Sequence, residues 1–219
     1  ESLGIIGSTG SGKSTIIKLL MRFYDVDSGS IRIGGKDIRS IDMKTLREKF
    51  GVVFQNDYIS TSTIYSNIRF GRTLEEEEVT AAAGYAMAAD FIAEKPEGFD
   101  TVVAVRGADL SGGQKQRLLI ARALAAHPDI LILDDSVSAV DTKTERTILE
   151  NLRNTRSGKT TILIAHRIST IEKMDKIIFV EDGTVVAMGP HAELYETCPS
   201  YRKMVDLQRL EEEGGAENG

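Results

Sequence analysis

One cysteine, Cys198, is all the thiol chemistry in these 219 residues, so no internal disulfide can form and no thiol cluster offers a metal site. Long apolar runs are missing too. None approaches the ~18–20 residues that a membrane span requires. The opening Glu1-Ser2-Leu3-Gly4-Ile5-Ile6 has neither a basic start nor a long apolar core, so no signal peptide is visible. There is no excess of positive charge, with 27 Lys plus Arg against 33 Asp plus Glu and a net charge of −6. Four glutamates of that excess lie in Glu211 to Gly219, leaving the rest of the chain near balance. That balance argues against a broadly basic nucleic-acid surface. Hydrophobic residues at 41% and charged residues at 27% are ordinary globular usage, which excludes a wholly disordered chain. What remains is a soluble domain in a reducing compartment.

Apolar runs of strand length alternate with stretches of helical period, the pattern of an α/β domain with a mainly parallel sheet. Leu3 to Ile6 is a short apolar run stopped by Gly7, and beyond the glycine-rich turn Ile16, Ile17, Leu19 and Leu20 fit one helix face. Ser30 to Ile33 enters Gly34-Gly35 as a strand enters a turn, Asp42 is placed to cap a helix reaching Lys49, and Gly51 to Phe54 returns as a strand. From about Thr63 to Ala126 helix formers dominate, in Leu74–Ala89 and Ser111–Ala126, with Pro96-Glu97-Gly98 as a loop between them. Ile130–Leu133 and Thr160–Ala165 read as buried strands around a helix over Thr142–Arg153. Lys176–Val180 and Thr184–Met188 form a hairpin through Asp182-Gly183. Short helices follow at Ala192–Glu196 and Tyr201–Leu210. The expectation is one domain over 1–210, with a core of about 1–55 and 127–210, a helical subdomain of about 56–126, and a disordered acidic tail over 211–219.

Gly7-Ser8-Thr9-Gly10-Ser11-Gly12-Lys13-Ser14 satisfies G-x-x-x-x-G-K-[ST] between a strand and a helix, so the core is a P-loop NTPase core. Glycines let successive backbone N–H groups converge on phosphate oxygens, and the helix starting near Lys13 adds its positive dipole end. Residues Gly7 through Ser14 and Thr15 are therefore the candidate nucleotide cradle. Lys13 reaches toward the β- and γ-phosphates, and the Ser14 hydroxyl is placed for Mg²⁺. Ile130-Leu131-Ile132-Leu133-Asp134 supplies the expected partner, an apolar strand that delivers Asp134 beside Ser14 to hold the metal. A flexible serine-glycine turn is the bland alternative.

Leu110-Ser111-Gly112-Gly113-Gln114, followed by Lys115-Gln116-Arg117, resembles the signature of ATP-binding cassette (ABC) proteins. Ser111 begins a helix, and the two glycines leave its N–H groups accessible as a second anion site. Gln55 matches the family's Q-loop, Ser138-Ala139-Val140-Asp141 its D-loop, and His166 its switch histidine. These motifs stand in family order from Gly7 to His166. Thr63–Ile68 and Arg106–Leu110 resemble exporter-type cassettes. His127 and His191 lie outside the motifs and read as structural.

The resemblance implies an ATPase using Mg²⁺ with ATP, held by Ser14, Gln55 and Asp134. It implies Asp135, His166 and Gln55 as the catalytic side chains. Two such domains would dimerise head to tail, with Leu110 to Gln114 serving the partner's ATP and Asp141 as the D-loop residue. The implied partners are a second nucleotide-binding domain and a transmembrane domain, at the cytoplasmic side of a membrane, with no nucleic acid.

The sequence departs from the family in three places. Asp135 stands where the family has a glutamate that polarises the attacking water, and its carboxylate is withdrawn by ~1.5 Å, one C–C bond. A displacement of about 1 Å can cost roughly 100-fold in rate. The expectation is slow hydrolysis at this chain's own site beside an intact signature, as in one half of an asymmetric heterodimer. A homodimer that tolerates Asp135 is the alternative, as are a soluble relative acting on DNA or ribosomes and a non-hydrolysing switch. Val105 replaces a glutamate before Arg106-Gly107. The family's adenine-stacking aromatic loop and N-terminal antiparallel strands are expected to lie upstream of Glu1, and so are missing here.

Overall fold

Residues 1–55 and 57–216 are described by a computed structural model. The chain opens with β1 (Ser2–Ile6), α1 (Lys13–Leu20), a two-residue hairpin of β2 (Arg32–Ile33) and β3 (Lys36–Asp37), α2 (Met43–Glu48) and β4 (Phe50–Val53). Between β4 and the next strand lie α3 (Ile64–Arg69), α4 (Glu76–Tyr85), α5 (Ala89–Ala93) and α6 (Gly112–Leu124). Then come β5 (Ile130–Asp134), α7 (Thr142–Thr155), β6 (Thr160–Ile164), α8 (Ile168–Ile171), β7 (Lys176–Glu181), β8 (Thr184–Gly189), α9 (His191–Thr197) and α10 (Pro199–Ala216). The main sheet runs β4-β5-β6-β1-β7-β8, parallel throughout except at the β7–β8 edge.

Period-two alternation divides each central strand between two apolar layers. Leu131, Leu133, Leu163 and Ile6 face a layer built with α3, α4, α6 and α7, whereas Ile132, Ile162, Ile164 and Ile5 face Ile17, Ile38 and Leu46 on the other side. Each such side chain, fully buried, stabilises the fold by about 1.5–3 kcal/mol. Burial on both faces explains why these strands read as unbroken apolar runs. Gly51 in β4 admits α6 directly: a Cβ there would lie 2.6 Å from the Ala123 carbonyl oxygen.

Helix starts follow side-chain capping. Asp42 accepts from the Thr45 N–H, Thr63 from Ser66 N–H, and Asp141 from Thr144 N–H. Three elements differ from the sequence expectation. The Leu74–Ala89 stretch breaks at Ala86, and a second short helix begins at Ala89. The four-residue α8 was not anticipated, being too short to show a helical period. The last helix runs on to Ala216 rather than ending at Leu210, since glutamates are good helix formers as well as charges. The rest of the expected acidic tail, residues 217–219, lies outside the described residues.

Candidate nucleotide site

The loop from Gly7 to Gly12 joins β1 to α1 and leaves no freedom at its first glycine: a Cβ on Gly7 would lie 2.0 Å from the Val180 carbonyl oxygen and 2.8 Å from Ser11 Oγ. Gly10 and Gly12 take left-handed φ values of 81° and 102°, which turn the chain into the helix start. The Gly183 N–H, in the β7–β8 turn, donates to the Ser11 carbonyl at 3.1 Å and braces the loop from outside. Ser11 is buried and its hydroxyl finds no partner among the described residues. Ser8 and Thr9 lie exposed on the outer curve, and Thr15 sits in the first turn of α1. The Lys13 ammonium is buried and donates to the carbonyl oxygens of Gly7 at 2.8 Å and Ser8 at 2.7 Å. Burial lowers its pKa, while Asp134 and Asp135 act in the opposite direction.

Asp134 ends β5 buried, and Ser14 Oγ donates to its Oδ2 at 3.1 Å. The two meet although β6 lies between β5 and β1, because the side chains reach past the ends of the strands to the start of α1. Burial raises the Asp134 pKa; the Ser14 hydrogen bond, Lys13 and His166 lower it, and Asp135 raises it further. A hydroxyl beside a carboxylate is a hard-oxygen pair suited to Mg²⁺. Among the described residues no group of three or more His, Cys, Asp or Glu could hold a metal.

Gln55 follows β4 and its Nε2 donates to Asp135 Oδ2 at 3.4 Å. Asp135 takes a left-handed φ of 50°, tolerated by aspartate better than by most residues, while its N–H donates to Ile164 at 3.0 Å and prolongs the sheet by one rung. His166, exposed after β6, lines a cleft of about 220 Å³ with Asp135, Val137, Ser138 and Arg167. The structure thus gathers Lys13, Ser14, Gln55, Asp134, Asp135 and His166 at the carboxyl ends of four parallel strands, where ligands of open α/β sheets bind. A larger cavity, of about 270 Å³, runs along α7 beside α8, lined by residues from Thr142 and Thr170 to Arg153 and Ser2.

The signature segment is placed elsewhere. Leu110 is buried and anchors it. Ser111 is exposed and forms a capping box with Gln114, each side chain accepting from the other's N–H. The segment packs on the D-loop: a Cβ on Gly113 would lie 3.1 Å from the Ala139 carbonyl, and Gln116 Oε1 accepts from Ala139 N–H at 2.9 Å. Its N–H groups are therefore less free than the glycines alone suggest. Asp141 caps α7, and hydrogen bonds from Thr144 hold its carboxyl below the usual range. His127 pairs with Glu78, and His191 Nδ1 meets the Tyr201 hydroxyl at 2.8 Å, both away from the cleft. The Val180 and Gly183 contacts to the loop and the Gln116 clamp were not foreseen, for no local motif marks them.

The family description "ABC transporter" matches residues 1–138. The chain belongs to the ABC transporter family. This cassette is 45% identical over 210 residues to an ATP-dependent lipid A-core flippase of Vibrio vulnificus (strain YJ016), covering 95% of the chain and 36% of that protein. It is 44% identical over 214 residues to ATP-binding cassette sub-family B member 6 of Mus musculus, covering 97% of the chain and 25% of the relative. The solved structure of a bacterial Atm1-family ABC exporter with ATP bound superposes at a TM-score of 0.91 with 45% identity, over 94% of this chain and 37% of that one. The cassette therefore spans about a third or less of the length of these relatives. No helix among its described residues is long and apolar enough to cross a membrane.

Proposed function

We propose that this cassette is the ATP-binding and ATP-hydrolysing domain of an ABC exporter, working at the cytoplasmic side of a membrane with a transmembrane domain and a second cassette. Two cassettes close head to tail around two ATP. The observation that carries this reading is the separation of two glycine-rich helix starts in one fold: Lys13 and the Ser14–Asp134 pair sit at the first, while at the second Ser111 is exposed and Gly112 and Gly113 pack beside Ala139. A phosphate chain bound at the first still has an open side, and a facing Ser111 is suited to cover it.

On binding, the Lys13 ammonium exchanges the Gly7 and Ser8 carbonyls for β- and γ-phosphate oxygens. Ser14, Asp134 and the Gln55 side-chain carbonyl would hold Mg²⁺, which would neutralise charge on those oxygens. Asp135 accepts a hydrogen bond from the attacking water and takes its proton as the bond to the γ-phosphorus forms and the bond from that phosphorus to the β,γ-bridging oxygen breaks, leaving ADP and phosphate. Gln55, already hydrogen-bonded to Asp135, steadies that carboxylate. His166, which lines the cleft, donates to a γ-phosphate oxygen.

The short Asp135 carboxylate makes hydrolysis at this chain's own site slow, so the second cassette is a different chain with the longer glutamate at that position. Asp135→Glu is expected to raise single-turnover ATP hydrolysis at this site several-fold, whereas Asp135→Asn lowers it. Unchanged single-turnover rates in both variants would remove Asp135 from the chemistry.

A further inference from the structure

The corner that carries His166 is held by a residue outside every motif. On α10, Gln208 Nε2 donates to the His166 carbonyl at 2.7 Å, and Gln208 Oε1 accepts from Ile168 N–H at 2.8 Å. One primary amide thus satisfies both backbone polar groups of the turn between β6 and α8. Gln208 shares a helix face with Tyr201 and Val205, both fully buried, at the i, i+4, i+7 spacing. Tyr201 in turn packs edge-on against Phe179 of β7, with ring centroids 5.5 Å apart. The amide is therefore delivered by a well-anchored helix. From the other side, the buried Glu145 carboxylate of α7 holds the Arg167 guanidinium and, at 2.5 Å, the Thr170 hydroxyl. Among the described residues no hydrogen bond holds the His166 ring itself, so the clamped backbone is what fixes the point from which the ring projects.

We propose that Gln208 is a positioning residue for His166, fixing the turn so that the imidazole meets the γ-phosphate. The inference rests on the reading of His166 given above. A displacement of about 1 Å in a reacting group can cost roughly 100-fold, and a loosened but still tethered corner costs less, about 10-fold. The C-terminal helix thereby belongs to the active site, although it touches no nucleotide.

The test uses the complete transporter, with the catalytic acid of any non-identical second cassette replaced by its amide so that turnover reports this chain's site. Gln208→Leu is expected to lower kcat about 10-fold while KM for ATP stays within about twofold. On a His166→Ala background it should cost nothing further. Gln208→Glu keeps the acceptor for Ile168 N–H but turns a carboxylate oxygen against the His166 carbonyl, so its kcat should fall at least as far as that of Gln208→Leu; it serves also if the leucine variant does not fold. Wild-type kcat in a folded Gln208 variant, or the same fractional loss with and without His166, would overturn the proposal. If His166→Ala itself leaves kcat unchanged, the role given to His166 fails, and the proposal falls with it for that separate reason.

Discussion

The phosphate loop and the signature segment are both glycine-rich starts of a helix, yet they are built to opposite ends. In the first, Gly7 is pressed against the Val180 carbonyl, Ser11 is buried, and the chain's own cation and acid stand ready at Lys13 and Asp134. In the second, Ser111 is exposed, its cap is satisfied by Gln114, and a Cβ on Gly113 would stand 3.1 Å from the Ala139 carbonyl oxygen rather than 2.0 Å from one. On the function proposed above, the contrast separates a site that binds on its own from a surface that completes a site on another molecule.

The largest effect expected from this contrast comes from adding one methyl group to each region. Gly7→Ala places a Cβ 2.0 Å from a backbone oxygen that no rotamer can move. We expect a loss of about 3 kcal/mol or more, seen as unfolding or as about 100-fold weaker ATP binding. Gly113→Ala meets Ala139 at 3.1 Å, and Ala gains helix propensity of about 1 kcal/mol over Gly, so melting temperature and ATP affinity should barely change. Equal losses in a side-by-side melting and nucleotide-titration measurement would erase the distinction between the two regions.

A smaller effect separates them by pH. Burial holds the Asp134 pKa above the ordinary carboxylate value. Between that ordinary value and the raised one, the folded chain binds a proton that the unfolded chain lacks, so this group makes stability fall as pH rises through the window. Mg-ATP needs the ionised form, so affinity should fall as pH drops through the raised value. Asp134→Asn should flatten both profiles, and a profile unchanged by that substitution would show that Asp134 is not the titrating group. Ser111 brings no such titration.

Elements buried on both faces were legible because their composition is one-dimensional: Leu3–Ile6, Ile130–Leu133 and Thr160–Ala165 fall on β1, β5 and β6. The phosphate loop was legible because its chemistry is local. Gln55, Asp135 and His166 carry no local mark, and only their resemblance to a known order of motifs singled them out before the structure gathered them. The insertion of β6 between β5 and β1 could not be read, since pairing order leaves no trace in apolar runs. Nor could Gly183 behind Ser11 or Gln208 behind His166. A turn glycine and a half-buried glutamine are commonplace in sequence, and only the packing of β7 and α10 gives them their positions. The end of α10 was misjudged because a run of glutamates reads equally as a solvated tail and as a helix.

The most direct measurement is the structure of the complete transporter with ATP trapped by the Asp135→Asn variant. The account predicts that Ser111 of this cassette lies about 3 Å, hydrogen-bond distance, from the γ-phosphate held by the lysine of the facing cassette. A closed, ATP-loaded assembly in which Ser111 stays in solvent, far from every γ-phosphate, would contradict it.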